Sequence, residues 1–326
     1  MKAALLCLSA FATVTPARAV EPVPVRPTHT YSIVARDPNT GQMGVAVQSH
    51  WFSVGTAVPW AEAGVGAVAT QSFVLVDYGP GGLNLMRGGA SAAEALSSLV
   101  KGDDGRDVRQ VAMVDAKGRV SAHTGARCIP AAGHRMGKGY SVQANLMLDA
   151  GVWPAMANAY EGSEGDLAER MLSALEAAQA RGGDIRGRQS AAMVVVKGRP
   201  SGRPWADRVV DLRVEDHPTP LVELRRLLDL QMAYNAMNHG DELVAKNDFA
   251  GALEAYTRAA TLAPGIVELP YWQAVTLAQA GKLEQALPIF AGVFAREPRW
   301  RELTARLPRS GLLDAAHVKP ILEVGK

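Results

Sequence analysis

Between Thr30 and Val214 the chain alternates paired β-rich runs with Ala- and Leu-rich helical stretches, and this order limits its fold more than any other feature. The first pair, "TYSIVARD" and "GQMGVAVQSH", is joined by "DPNTG", a turn that predicts a β-hairpin. Further strands are predicted in "GVGAVATQSFV", on both sides of "DAKG", and in "GYSVQANLML", "QSAAMVVVKG" and "DRVVDLRV". Paired strands followed by helices predict an α+β fold, a four-layer αββα sandwich, rather than a βαβ Rossmann pattern.

Two segments between these strands carry apolar residues at helical spacing. The first, "GPGGLNLMRGGASAAEALSSLVKG", has a Gly-Gly break, and a Ser begins its second half. The second is "AMANAYEGSEGDLAERMLSALEAAQARGG". We expect these helices to cover the sheets.

The composition favours a globular body with a small partner. The 326 residues, 48% of them hydrophobic, are enough for about two domains. The formal net charge is only +2, and basic residues are scattered among acids, so neither nucleic acid nor an anionic membrane is an expected partner. A small molecule or a peptide is the expected partner.

The first 29 residues have the features of an export signal and a following leader. Residues 1–19 combine Lys2, an apolar run and a closing "ARA", which predicts cleavage after Ala19 and a periplasmic or secreted protein. Residues 20–29 are Pro-rich and fit a pro-segment or a simple linker equally well. Because Cys7 leaves with the signal, Cys128 is left alone and cannot form an internal disulfide; a buried thiol is the simpler interpretation and a reactive thiol the alternative.

Residues 216–326 repeat at a tetratricopeptide period. Six positions recur 34 residues later, the spacing typical of stacked helical hairpins. The pairs are Asn247 and Gly281, Phe249 and Leu283, Ala252 and Ala286, Tyr256 and Phe290, Ala259 and Val293, and Pro264 and Pro298. The pattern predicts an all-α tetratricopeptide-like region that docks a peptide or protein, with a generic pair of helical hairpins as the alternative.

Three hydroxyls, those of Thr28, Thr30 and Ser32, stand at the front of the predicted hairpin. A hydroxyl is a weak nucleophile unless a base takes its proton, and a residue at the chain's first position can use its own α-amine as that base. A strand that begins with Thr or Ser and turns into a Gly- and Val-rich second strand is typical of N-terminal-nucleophile hydrolases. One of these hydroxyls is therefore either a strand residue or a nucleophile exposed by cleavage.

The sequence resembles the DUF1028 family, of unassigned function, in the N-terminal-nucleophile hydrolase superfamily. The resemblance runs from about residue 29 to 215 and rests on "HTYSIVARDPNTGQMGVAVQSH", "GARCIPAAGHRMGKGYSVQANLM" and "GGDIRGRQSAAMVVV", in that order. It implies a hydrolase-like domain at residues 30–215 and Thr30 as the nucleophile, with Ser32 as the alternative hydroxyl. The α-amine of Thr30 becomes free only if the bond to His29 is cut.

The resemblance also implies roles for polar residues near that chain end. Asn145 resembles an amide donor beside the nucleophile. Asp184, Arg186 and Ser190 resemble the polar loop that orients the free amine in related folds, where Ser190 is a candidate for binding substrate and Asp184 is placed to tune the pKa of the amine. Loop capping is the alternative for each.

Other candidates come from the residues that follow strands. His50 is expected to move a proton or bind substrate, and Thr70 and Gln71 lead to "DYGPGG", whose backbone N–H groups are candidates for an oxyanion hole. Arg127 and His134 are candidates for binding an anionic group of the substrate. A surface or partly buried imidazole, a tight turn and ordinary loop contacts are the respective alternatives.

No spacing of histidines or cysteines predicts a metal site, and no Gly-rich loop predicts a phosphate or nucleotide cofactor. Two functions remain. The first is an exported amidohydrolase that uses an N-terminal Thr on an amide bond. The second is a noncatalytic binding or assembly protein on the same scaffold. A fold of this kind often pairs, so a homodimer stays open.

Overall fold

The computed structural model describes Thr28 and residues 30–325, so the predicted signal peptide at residues 1–19 and most of the predicted leader at 20–29 lie outside the described residues. The strands are β1 Thr30–Arg36, β2 Met43–Ser49, β3 Pro59–Glu62, β4 Gly66–Ser72, β5 Arg109–Asp115, β6 Val120–Thr124, β7 Gly133–Gly137, β8 Tyr140–Ala144, β9 Ser190–Val196 and β10 Arg208–Val214. The helices are α1 Tyr78–Arg87, α2 Ala92–Lys101, α3 Val152–Gly162, α4 Leu167–Ala180, α5 Pro220–Ala245, α6 Phe249–Leu262, α7 Glu268–Gln279, α8 Leu283–Arg296, α9 Trp300–Arg306 and α10 Ala315–Glu323.

The strands form two antiparallel sheets, as the sequence predicts. The larger has the order β10-β9-β2-β1-β8-β7 and the smaller has the order β3-β4-β5-β6. The hairpin of β1 and β2 lies at the centre of the larger sheet and pairs in register from Thr30 opposite Ser49 to Arg36 opposite Met43. The mixed α+β class with two antiparallel sheets is therefore confirmed.

Alternation along each strand builds the layers, because successive side chains point to opposite faces of a sheet. Val34 and Val45 of the larger sheet meet Ala69 and Val114 of the smaller sheet in one buried apolar cluster. The opposite face of the larger sheet packs against α3 and α4, and Tyr31, Ile33 and Met171 belong to that second cluster. Helices α1 and α2 cover the outer face of the smaller sheet around Val68 and Met113.

The segment with the Gly-Gly break forms α1 and α2, and the pair of glycines separates them. Gly88 ends α1, and Gly89 has a φ of 101°, in the region that favours glycine. Ser91 then begins α2 with a capping box, in which its hydroxyl accepts from the Glu94 N–H and the Glu94 carboxylate returns a bond to the Ser91 N–H.

Two strands were not predicted from the sequence. β3 is a four-residue strand at the edge of the smaller sheet. β7 pairs with β8 and contains His134, which the sequence analysis placed in a loop. Both obtain their strand conformation from pairing with a neighbour.

The C-terminal part, from α5 onward, is helical, as predicted. The residues that recur 34 positions apart occupy matching places in α6 and α8: Ala252 and Ala286 are buried, as are Tyr256 and Phe290. Helix α5 also packs on the sheets, because Leu224 and Leu228 belong to the same buried cluster as Tyr31 and Ile33. None of the helices in the described range is long and apolar enough to cross a membrane.

Candidate functional site

The ends of five central strands meet at one edge of the two sheets. In the larger sheet, β1 begins at Thr30 opposite Ser49, the last residue of β2, and Ser49 also pairs with Ser190, the first residue of β9. In the smaller sheet, β4 ends at Ser72 opposite Arg109, the first residue of β5. Loops that lie far apart in the sequence therefore gather at the start of β1.

Thr28 joins the two sheets at this edge. Its N–H donates to the carbonyl oxygen of Ser72 at 2.7 Å, and its own carbonyl oxygen accepts from the Ser72 N–H at 2.9 Å. Two residues later, Thr30 belongs to the larger sheet. The leader, residues 20–29, is therefore bonded through Thr28 to β4 of the smaller sheet, two residues before the candidate nucleophile.

Thr30 is fully buried, and its hydroxyl has one hydrogen bond, donated to the carbonyl oxygen of Thr28 at 2.9 Å. The carbonyl oxygen of Thr30 accepts from the Asn145 backbone N–H at 3.2 Å and from Gln71 Nε2 at 3.2 Å. These donors fix the backbone on the C-terminal side of the hydroxyl. The acceptor of the hydroxyl itself belongs to the leader.

The surrounding side chains form a buried, uncharged group that we call the amide cluster: Thr30, Ser32, Gln71, Gln110, Gln143 and Asn145. Gln110 sets the orientation of the side chains in this cluster. Its own Nε2 donates to the carbonyl oxygens of Ala144 at 2.9 Å and Gly133 at 3.2 Å. Carbonyl oxygens only accept, so the oxygen of the Gln110 amide must point the other way. There it accepts from Gln71 Nε2 at 2.7 Å and from Asn145 Nδ2 at 2.8 Å.

Asn145 lies beside Thr30, as expected, but the structure gives its amide nitrogen an internal partner. Nδ2 donates to Gln110 and lies 3.5 Å from the Thr30 carbonyl oxygen. Two of the contacts of this amide are therefore with residues of the protein interior. The Asn145 side chain holds Thr30 in place in this arrangement.

Ser32, the alternative hydroxyl, is bonded on both sides. Its Oγ donates to Gln71 Oε1 at 2.6 Å and accepts from Gln143 Nε2 at 2.6 Å. Gln143 in turn accepts from the Ser141 hydroxyl at 2.9 Å. Because both of its partners are core residues, the Ser32 hydroxyl is not released by removal of the leader, and the hydroxyl of Thr30 is.

Asp184 lies at the same edge, but its hydrogen bonds are with residues other than Thr30. Its carboxylate, fully buried, accepts from the His50 backbone N–H at 3.1 Å and from Arg186 Nη2 at 2.7 Å. No hydrogen bond of the described residues joins Asp184 to Thr30. Burial, and next the charge of Asp184, raise the pKa of Tyr31 well above its usual value, and Tyr31 points to the helix side of β1. The predicted orientation of a free amine by Asp184 is therefore not seen among these contacts.

His50 contacts Asp184 through its backbone, and its ring Nδ1 is buried without a hydrogen-bond partner among the described residues. Ser190 fastens the loop after β2: its hydroxyl donates to the Trp51 carbonyl oxygen and accepts from the Val54 N–H at 3.1 Å. Ser190 is thus a loop-capping residue, the alternative that the sequence analysis kept open.

Thr70 and the glycines that were predicted to contribute to an oxyanion hole have structural contacts of their own. Thr70 points away from Gln71, and its hydroxyl donates to the Leu75 carbonyl oxygen at 3.0 Å. Gly79 and Gly82 lie in α1 rather than in an open turn, and a Cβ at Gly79 would come within 2.4 Å of the Trp60 ring. A Cβ at Gly82 would come within 2.7 Å of Met113. These glycines bring α1 close to the smaller sheet, and a role of this segment in an oxyanion hole stays a prediction.

Arg127 and His134 lie around the same edge. Arg127 is exposed and donates its backbone N–H to the Asp107 carbonyl oxygen at 2.7 Å. His134 Nδ1 is 2.8 Å from the Thr124 hydroxyl. Burial, and next the charge of His123, lower the pKa of His134, so this imidazole is neutral at pH 7 and does not supply a positive charge to an anionic group. Of these two candidates for binding an anionic group, Arg127 has the positive charge that such binding requires.

Arg109 braces the loop that follows β4. Its Nε donates to Asp103 at 2.9 Å, and its Nη1 donates to the Phe73 carbonyl oxygen at 2.5 Å. Asp103 also accepts from the Tyr78 hydroxyl at 3.0 Å. Burial opposes ionisation of Asp103, but the hydrogen bonds from Arg109 and from the Gly105 N–H outweigh it and lower the pKa of this carboxyl. The pair holds Ser72 and Phe73 in place beside Thr28.

Gln110, Gln143 and Ser72 were not predicted as site residues. The glutamines stand in "VRQVAMV" and "YSVQANL", inside runs that are otherwise apolar, at positions whose side chains face the other sheet. A Gln at such a position is buried and needs partners. That pattern was visible in the sequence. The role of Ser72 was not, because it depends on its backbone.

No group of three or more His, Cys, Asp or Glu side chains in the described part of the chain is arranged to hold a metal ion.

Comparisons with known proteins identify relatives of the two-sheet region. The family model described as "Family of unknown function (DUF1028)" matches residues 30–224. The chain is also similar to the crystal structure of protein SPO2555 from Silicibacter pomeroyi, described under the same family model. The two are 30% identical, with a TM-score of 0.55, over 62% of this chain and 88% of that chain. No curated protein matches the chain.

Proposed function

The chain belongs to the DUF1028 family, a family of unknown function, and we propose that it is an exported amidohydrolase of the N-terminal-nucleophile type, with Thr30 as the nucleophile. One observation carries the proposal. A fully buried threonine hydroxyl stands at the first position of a central strand, and its only hydrogen bond to a described residue goes to Thr28 of the leader. Two antiparallel sheets with helices on their outer faces support the superfamily assignment, and residues 1–19 support export.

In this proposal, cleavage between His29 and Thr30 converts the Thr30 amide nitrogen into a free α-amine. The amine takes the proton of the Thr30 hydroxyl as its oxygen attacks the carbonyl carbon of the substrate amide. The carbon–nitrogen bond then breaks, and the amine returns the proton to the leaving nitrogen. Water attacks the resulting ester, gives up a proton through the same amine, and releases a carboxylic acid and the free hydroxyl.

The uncharged side chains of the amide cluster favour the neutral form of the α-amine, which is the form that acts as a base. Gln71 and Asn145, its neighbours around Thr30, are uncharged, and no carboxylate of the described residues is bonded to Thr30. Burial among uncharged groups disfavours an ammonium ion, so we expect the neutral form of this amine to be favoured. A neutral amine at pH 7 can accept the hydroxyl proton.

Two measurements test the proposal. Mass spectrometry of the exported protein is expected to find Thr30 as the first residue. The variant Thr30→Ala is expected to lose hydrolysis of N-acyl compounds, cyclic amides and peptidoglycan fragments by about a thousandfold or more. Its unfolding free energy should change little, because one hydroxyl bonded to the leader contributes little to stability.

The control is Ser32→Ala, which removes the neighbouring hydroxyl. We expect it to keep hydrolysis and to lower the unfolding free energy by about 1 kcal/mol, because it breaks two buried hydrogen bonds. A mature chain that begins at Val20, or full activity of Thr30→Ala, would exclude the proposed mechanism.

A second candidate function belongs to the helical region, which we infer to be a tetratricopeptide-like docking module. The supporting observation is a groove of about 590 Å³ between α5 and α6, lined by Met232, His239, Leu243, Glu254 and Arg258. If the leader is never cut, this groove and the two-sheet scaffold together support a noncatalytic binding protein. The N-terminal mass that tests Thr30 also separates these two functions.

A further inference from the structure

Thr28 is held as one residue of an extended strand, through both of its backbone polar groups. Its N–H donates to Ser72 and its carbonyl oxygen accepts from Ser72, at 2.7 and 2.9 Å. An antiparallel residue pair of this kind recognises the unit N–H, Cα and C=O, and it is the way an extended peptide adds to a sheet edge.

The carbonyl oxygen of Thr28 is also the acceptor of the candidate nucleophile. The Thr30 hydroxyl lies 2.9 Å from it, and the Ser72 N–H lies 2.9 Å from it on another side. A reacting carbonyl needs a place about 3 Å from both a nucleophile and an oxyanion donor. The oxygen of the leader carbonyl lies within hydrogen-bond distance of both groups. A substrate carbonyl in this position therefore has its oxygen beside the Ser72 N–H, and attack requires the Thr30 hydroxyl to move from that oxygen to the adjoining carbon.

The backbone at Ser72 is adapted to this contact. Ser72 is fully buried and has a φ of 70°, in the left-handed region that a residue with a side chain adopts only at a cost. Arg109 holds the next residue, Phe73, through its carbonyl oxygen. The conformation of Ser72 is therefore maintained by the fold.

We propose that the Thr28 position is the acyl subsite of the mature protein, and that Ser72 supplies the oxyanion N–H. The acyl part of the substrate is then an α-amino acid residue in an extended peptide, bound through its own N–H and C=O as Thr28 is bound. This inference rests on the proposed function and adds a substrate class to it, a peptide rather than a simple acyl amide.

The side chain of Thr28 gives the size of the subsite. Thr28 is 1% exposed, and its hydroxyl is buried without a hydrogen-bond partner among the described residues. A side chain of threonine size therefore fills the space at this position. The subsite accepts small residues and excludes large ones.

The experiment uses a chain that begins at Thr30 and the free peptide of sequence PVRPTH, residues 24–29. Among the described residues, the buried apolar clusters contain none before Tyr31, so removal of Thr28 takes nothing from them. Circular dichroism and thermal unfolding check that this chain is folded. Calorimetry is expected to show that the peptide binds it, and that it does not bind the uncut chain, in which the leader already occupies the site.

Two modified peptides make the test specific. A methyl group on the Thr28 nitrogen removes the donor to Ser72 and is expected to weaken binding at least tenfold. Replacement of that threonine by tryptophan is expected to weaken it at least as much, because the subsite is small. Equal affinity of the parent and N-methylated peptides, or no binding to a folded chain, overturns the proposal.

The same measurement on the shortened chain that begins at residue 30 and carries Thr30→Ala separates this inference from the proposed function. This variant keeps Ser72 and is expected to bind the parent peptide more tightly than the N-methylated one. If it does so while the unaltered chain hydrolyses nothing, the subsite stands and the nucleophile fails. If hydrolysis is found but N-methylation has no effect on binding, the nucleophile stands and the subsite fails.

Discussion

Gln110 bonds to residues of both sheets from a fully buried position. Its amide nitrogen donates to the carbonyl oxygens of Ala144 and Gly133 in the larger sheet. Its amide oxygen accepts from Gln71 in the smaller sheet and from Asn145 after β8. Buried polar groups cost free energy when a partner is removed. The orientation of Thr30 thus depends on a side chain that does not touch the Thr30 hydroxyl.

We predict that Gln110→Met lowers the unfolding free energy by about 3 kcal/mol, because it leaves several buried groups with fewer partners. The matched control is Ser141→Ala, which removes one hydroxyl from the far end of the same hydrogen-bonded chain. This control should cost about 1 kcal/mol. Urea unfolding of both variants measures the difference, and equal costs would show that Gln110 is not the organising residue.

The contacts of some site residues could be predicted from the sequence and those of others could not, for a physical reason. Thr30, Asn145 and Gln71 lie in contact because strand order and alternation, which the sequence carries, bring them together. The partners of Asp184, Ser190 and Thr70 depend on loop conformation, and the donor role of Ser72 depends on a backbone angle. Neither the conformation of a loop nor a single backbone angle can be predicted from residue types.

At the scale of whole elements, the long strands rich in Val and Ala were predictable, because alternation and turn residues define them locally. β3 and β7 were not. β3 has four residues and β7 begins and ends with glycine, so neither has a strong β preference of its own. Pairing with β4 and β8 determines their conformation.

The 34-residue period extends to backbone angles. Asn247 and Gly281 end α5 and α7 at matching positions, and both are left-handed, with φ of 61° and 73°. A position of this kind favours glycine or asparagine at a helix end. The period in the sequence thus encodes where each helix stops as well as which face is buried.

We predict opposite effects for two glycines that both face open space. Gly281→Ala should lower the unfolding free energy by about 1 kcal/mol, because alanine resists a positive φ. Gly292→Ala, inside α8, should raise it by about 1 kcal/mol, because alanine favours a helix. Thermal unfolding measures both, and changes of the same sign would contradict the assigned backbone conformations.

At the scale of the whole molecule, α5 connects the two-sheet region to the helices that follow. Leu224 and Leu228 are fully buried against the sheet, and Arg225 between them bonds to Glu169 and Glu176 of α4. The family match ends at residue 224, within this helix. The predicted boundary between residues 215 and 216 therefore precedes a helix that serves both regions.

We predict that Arg225→Met lowers the unfolding free energy by about 1 kcal/mol, because it leaves two carboxylates of α4 without their shared cation. Arg226→Met is the matched control: its guanidinium pairs with Glu223 of the same helix and is largely exposed. This control should change stability by only a few tenths of a kcal/mol. A cost equal to that of Arg225→Met would mean that the contact between α4 and α5 adds no stability.

The position of the leader has a consequence for the timing of maturation. Thr28 is bonded to the smaller sheet and Thr30 to the larger, so these two residues are fixed only after the two sheets have come together. If the proposed cut requires this arrangement, an unfinished or misassembled chain keeps its leader. Removal of the leader would then mark the molecules that have completed folding, and the protein would become active only in that state.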